Sequence, residues 1–150
     1  MVYDARDRTK VYLDTYLDNA NLTKDDDTTQ ISFIVAYADP NYPLLRVFND
    51  KAIDLVFCVG NPESQAVLDS DHYPIGYEEN VPITVWCIDK ASITGTKLRW
   101  KAEAELRRIC ETYPLGSVRS LERLRDNDAN LGSTILYSRE FNMKYVRDTT

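Results

Sequence analysis

The chain has 150 residues, 43% hydrophobic and 28% charged, a length and balance that support one packed core over residues 1–150 and exclude a chain too polar to fold. No run approaches the about 18 consecutive apolar residues of a membrane span, and the opening MVYDARDRTK has no apolar stretch behind its charges, so neither a span nor a secretory signal is expected. The net charge of −6 is uneven: residues 1–94 hold 7 Lys/Arg against 16 Asp/Glu (−9), and residues 95–150 hold 11 against 8 (+3).

Such a split can direct a basic face towards nucleic acid, or towards the acidic face of another copy, or can simply reflect a solvated surface. The three cysteines, Cys58, Cys87 and Cys110, are odd in number, no two closer than 23 positions, and each lies in an apolar stretch. They read as small buried side chains in a reducing compartment rather than a disulfide framework.

In chain order, Ala5, Thr9, Tyr12, Leu13, Tyr16, Leu17 and Ala20 form one stripe of an amphipathic helix over residues 4–20. The run Asp25–Asp27 breaks it, and ISFIVAY, dense in β-branched and aromatic residues, predicts a strand over 31–38. After the Pro40–Pro43 turn, LLRVF reads as a short strand and AIDLVFCVG at 52–60 as a clearer one, with Ile53, Leu55, Phe57 and Val59 alternating.

Residues 61–80, holding Pro62, Pro74 and Gly76 without a sustained period, predict a long loop of functional or mobile character. VPITVWCID at 81–89 is apolar on both faces, as a central strand should be. A helix follows over 94–112 with Leu98, Ala102, Leu106, Ile109 and Tyr113 on one face, stopped by Pro114 and Gly116. SVRSLERLR and STILYSREFNMKYV, separated by DNDANLG, read as a closing hairpin whose odd positions Ile135, Tyr137, Phe141, Met143 and Tyr145 face inward.

The resulting expectation is an α+β fold. Its mixed, mostly antiparallel sheet of about five strands carries two main helices on one face, in the order α-β-β-β-β-α-β-β or one strand fewer.

Chemistry-bearing patterns are sparse. The single histidine, His72, sits in a loop, and the cysteines lie in regular apolar segments rather than at the helix starts or glycine-rich elbows that stabilise thiolates. Zinc would want paired ligands such as CxxC. Asp126-Asn127-Asp128 and Asp25–Asp27 mimic the start of a calcium loop but lack its glycine and its closing glutamate, and turn geometry explains the same residues.

The five glycines are isolated, so no phosphate-cradling loop exists. Neither a catalytic, a cofactor nor a metal site is expected. Arg119, Arg123, Arg125, Arg139 and Arg147, interleaved with Tyr137 and Tyr145, form a basic cluster on the closing hairpin that could contact phosphates and bases. The alternative has the tyrosines inward and the arginines outward, towards solvent or the acids of a neighbouring copy.

The element order over essentially the whole chain resembles the tail terminator and tail-completion proteins of long-tailed bacteriophages and related archaeal viruses. The resemblance is carried by the N-terminal helix DARDRTKVYLDTYL, the long segment before VPITVWCID, the helix TKLRWKAEAELRRICETY and the ending LERLRDNDANLGSTILYSREFNMKYVRD. It implies a non-enzymatic virion protein of the tail or neck, made in the host cytoplasm. Copies would form a ring, commonly six-fold, that caps the tail tube and joins it to the head connector, with DNA touched only in passing through the ring.

A related neck or adaptor subunit, and from another class a nucleic-acid-binding α+β domain, are the alternatives. A cyclic ring uses heterologous contacts, which the −9/+3 split suits. The residues expected at a neighbour are Tyr73 and Tyr77 of the long segment and Arg119, Arg123, Arg125 and Arg139 of the hairpin. Charge reversal at Arg123 and Arg125 is expected to weaken assembly and leave the subunit folded.

Overall fold

A computed structural model describes residues 4–115 and 117–148. The fold is α+β, with helices α1 (Ala5–Tyr16), α2 (Leu44–Asp50) and α3 (Gly95–Thr112) around one sheet. Its strands are β1 (Phe33–Tyr37), β2 (Leu55–Val59), β3 (Glu63–Leu68), β4 (Pro74–Ile88), β5 (Ser117–Asp126), β6 (Ala129–Leu131) and β7 (Thr134–Asp148). The main path runs β1-β2-β4-β7-β5; β3 pairs with β4 and β6 with β7. Among the described residues only the β1–β2 pair is parallel.

The expected helix stripes are buried except at their ends, where Tyr16, Ala20 and Tyr113 are exposed. In α1 the buried members are Ala5, Thr9, Tyr12 and Leu13; in α3, Leu98, Ala102, Leu106 and Ile109. They pack on the sheet face formed by Leu55, Phe57 and Val59, by Val81, Ile83, Val85 and Cys87, and by Phe141, Met143 and Tyr145. The Tyr12 hydroxyl donates to the Ile109 carbonyl at 2.8 Å, joining the two helices.

Asp4 starts α1 by accepting from the Arg6 and Asp7 N–H groups at 3.0 and 3.1 Å. The helix stops at Tyr16, short of residue 20. Leu17 turns extended, and Asp18 instead caps a separate short turn over Asn19–Asn21.

Two expectations are corrected. LLRVF is helical, not extended: α2 buries Val47 and Phe48 against Val56, Cys58, Ile88 and Leu136 on the opposite face of the sheet. Four apolar residues in five satisfy either period, and the crossover between parallel β1 and β2 settles the choice. Residues 61–80 are not a loop but β3 and the first half of a 15-residue β4. All of β3 except Val67 is exposed, so it lacks the one-sided alternation by which a strand is recognised, and Pro74 occupies the first position of β4, where proline is tolerated.

The Asp25–Asp27 run organises the segment before β1. Asp25 accepts from the Thr94 N–H at 3.0 Å and its hydroxyl at 2.7 Å, and Asp26 accepts from Thr28 and Thr29. Asp27 holds Lys101 at 2.7 Å, and the same ammonium also donates to the Thr23 and Lys24 carbonyls.

Candidate assembly surface

β2 and β3 lie end to end along one edge of β4: Leu55–Val59 pairs with Ile83–Cys87, and Glu63–Leu68 with the stretch from Pro74 to Asn80. Gly60 sits at the junction, where an added Cβ would lie 2.7 Å from the Pro82 ring. Beyond it, β3 and Pro74–Asn80 form an arm braced on its other side by the end of β7, which pairs through Gly76↔Asp148 to Asn80↔Lys144.

The arm turns tightly. The Asp69 N–H donates to the Tyr73 carbonyl, while the Asp69 carboxylate accepts from the Asp71 and Tyr73 N–H groups at 2.9 and 3.0 Å. His72 takes the left-handed backbone, φ 66°. Leu68, Tyr73 and Ile75 are 49%, 69% and 55% exposed. Glu79 is fully buried and binds three strands together, accepting from Ser64 of β3 and from Arg147 of β7, the latter at 2.7 Å. The Arg147 guanidinium lies over the Tyr77 ring, 4.4 Å from its centre.

Residues 61–80 contain five carboxylates, Glu63, Asp69, Asp71, Glu78 and Glu79, and no lysine or arginine. Glu78 and Glu79 are matched by Lys144 and Arg147. Along β3, Ser64 to Leu68 carry neither charge nor proline, and among the described residues the strand has β4 as its sole strand partner. Natural edge strands are normally blunted by charges, proline or bulges; this one has a single irregularity, at Val67/Leu68.

The second surface lies around α3 and β5, at the other end of the sheet. Glu103, 5% exposed, is shared by three guanidiniums: Arg107 at 3.1 Å, Arg123 at 3.1 Å and Arg139 at 3.2 Å. Arg139 also forks onto Asp126 at 2.7 and 3.0 Å, and Arg99 reaches Asp126 and Asp128 at 3.3 and 2.7 Å. The hydrogen bonds from Arg139 hold the Asp126 carboxyl below the usual carboxylate range, reinforced by the charges of Arg139, Arg99 and Arg123.

Arg139 and Arg123 stand over the Trp100 ring, 3.9 and 4.6 Å from its centre, while Trp100 itself is 51% exposed. Arg107, Arg123 and Arg125 line a shallow groove with Leu121, Leu124, Glu122 and Asp126. The outer edge of β5 is the far edge of the sheet path.

Among the six residues anticipated at an interface, Tyr73, Arg123 and Arg125 are exposed and Tyr77 is half-buried under Arg147. The side chain of Arg119 lies outside the described residues. Arg139 does not point outward: it is 2% exposed, on the same inward row as Phe141, Met143 and Tyr145. Alternation placed Arg139 there, but its charge argued for the surface; the carboxylates of Glu103 and Asp126 explain how a guanidinium is tolerated inside. On that row Ile135 is 41% exposed because it lies near the Gly132 turn.

Tyr145 is fully buried, and the half-buried Tyr137 ring packs against Gly95 with the Arg99 guanidinium 5.6 Å from its centre, so neither ring stands free for base stacking. Glu79, Glu103 and Trp100 escaped notice in the sequence. The i, i+4 spacing of Glu103 and Arg107 was the one legible sign.

Cys58 and Cys87 are buried in the sheet, which pushes their thiols up to about 12, and burial also raises Cys110. His72 is at the exposed arm turn, on a different element from Cys58. At pH 8 the folded protein should react with none of its three thiols over minutes when mixed with an aromatic disulfide reagent, and with all three once unfolded in urea. Rapid labelling of one native thiol would identify a reactive cysteine that this fold does not explain.

Among the described residues no three of His, Cys, Asp and Glu gather as a metal site, and no helix is long and apolar enough to cross a membrane. No family model matches the chain, and no curated protein matches it significantly.

Proposed function

We propose that this chain is a structural subunit that self-assembles into a ring, acting as a tail terminator of a tailed virus that caps the tail tube and joins it to the head connector. The observation that carries the self-assembly is the arm: an acidic, projecting extension of the sheet whose outer strand is free of charge from Ser64 to Leu68 and whose tip exposes Leu68, Tyr73 and Ile75. The tail assignment rests on the resemblance of the element order to tail terminators. The α+β fold agrees with it in class alone.

Self-pairing of two arms through a two-fold axis would set carboxylates against carboxylates, whereas a head-to-tail contact brings unlike surfaces together and closes a ring when the rotation between copies closes on itself. Such a subunit works by stopping tube growth and presenting a new surface, without bond chemistry. Native mass measurement combined with negative-stain imaging tests this: closed rings are expected, six-fold by the resemblance, that bind the end of a tail tube. A protein that stays monomeric at every concentration and alone caps no tube would exclude it.

A further inference from the structure

Resting on the ring reading, we infer that the arm of one copy seats on the arginine face of the next, with β3 running along the outer edge of β5 and the tip reaching the groove beside Trp100. Three observations carry this. The first is charge. Glu63, Asp69 and Asp71 form no ion pair among the described residues, while across the sheet one buried carboxylate, Glu103, serves three arginines, two of which line an open groove. Arg125, 71% exposed, stands beside them with Glu140 as its ion partner. The arginines of that face are matched within the subunit by acids, but Arg107, Arg123 and Arg125 are more exposed than their partners Glu103 and Glu140, so guanidiniums stand outermost there and attract the cation-free acids of an arm.

The second is direction. β4, β7 and β5 are successive antiparallel neighbours, and β3 is antiparallel to β4. β5 therefore runs with β4, and a β3 strand from a copy held in the same sense pairs antiparallel with β5, between the irregularities of β5 at Val118/Ser120 and Arg123/Arg125. Both strands are edges of the same sheet, so the contact is heterologous and repeats from copy to copy.

The third is apolar matching. Leu68, Tyr73 and Ile75 on the arm and Trp100 and Leu124 (52% exposed) on the receiving face are large hydrophobics left in water in the lone subunit. Aromatic anchors rimmed by charge are the usual make-up of an interface centre. The charges on β5 have a second consequence, since Arg123 and Arg125 discourage one β5 edge from pairing with another.

Reciprocal charge exchange tests the mate. Glu63→Arg with Asp71→Arg leaves Asp69, which shapes the turn, in place, and should weaken ring formation about tenfold or more in the concentration required, measured by sedimentation velocity. Arg125→Glu should do the same, and Arg125→Gln, which avoids setting two carboxylates together at Glu140, should act in the same direction more weakly. Combining the reversed arm with Arg125→Glu should recover assembly towards wild type, which no merely structural effect of either change would produce. Circular dichroism should show every variant folded.

Rings in the wild type that are indifferent to all of these changes, or a combined variant no better than the worse single one, would overturn this mate while leaving ring assembly standing. A wild type that forms no ring would overturn both.

Discussion

Replacing Arg139 by methionine should destabilise the subunit by about 3–5 kcal/mol, read from urea unfolding, even though the new side chain fits the volume and suits a core. The expectation follows from what is left behind. Arg139 is 2% exposed, forks onto Asp126 and shares Glu103 with Arg107 and Arg123. Without it, Glu103 is a buried carboxylate whose two remaining guanidiniums approach from the solvent side, each 41% exposed.

Arg139→Lys should recover only part of the loss, because an ammonium cannot make the paired N–H contacts onto Asp126. The pH dependence carries a sign. Asp126 titrates below its ordinary value when folded, so its contribution is complete above about pH 4 and is lost as pH falls through the lowered folded value. The gap between wild type and Arg139→Met should therefore narrow in acid. A gap that stays constant from pH 7 to pH 3 would mean that packing, not charge, sets the effect.

Glu79→Ala should cost about 3 kcal/mol and concentrate the damage in the arm. Glu79 is wholly buried, and it ties β3, β4 and β7 together through Ser64 and Arg147. β3 itself has almost no buried side chain to hold it, so its order depends on backbone pairing with β4 and on this carboxylate. Amide exchange across 63–80 should quicken more than exchange in β2 or the core half of β4. A uniform acceleration over the whole sheet would show that the arm is no separate unit of stability.

The core was legible in the sequence where a single period was imposed by one buried face. Leu98, Ala102, Leu106 and Ile109 repeat as a helix must, and Phe141, Met143 and Tyr145 alternate as a half-buried strand must. The arm was not, because a strand wet on both faces leaves no alternation, and Pro62, Pro74 and Gly76 resemble loop punctuation. Gly76 is in fact required by the sheet, since an added Cβ would lie 2.9 Å from the Arg147 carbonyl oxygen.

The residues anticipated at an interface divided along the same line. Exposure of Tyr73, Arg123 and Arg125 was visible from local pattern. The withdrawal of Arg139 was not, because it depends on Glu103, 36 positions away in sequence. The ion pair of Arg123 with buried Glu103 also revises the expectation for charge reversal: reversing Arg123 should damage the fold as well as the assembly, and Arg125 is the cleaner handle.

Assembly through this mate covers the arm when copies meet. Hydrogen exchange compared between dilute subunits and the assembled form addresses it directly. Residues 63–68 and the outer amides of β5 should gain protection together on assembly while the core strands stay unchanged; equal protection of 63–68 in both states would contradict the account.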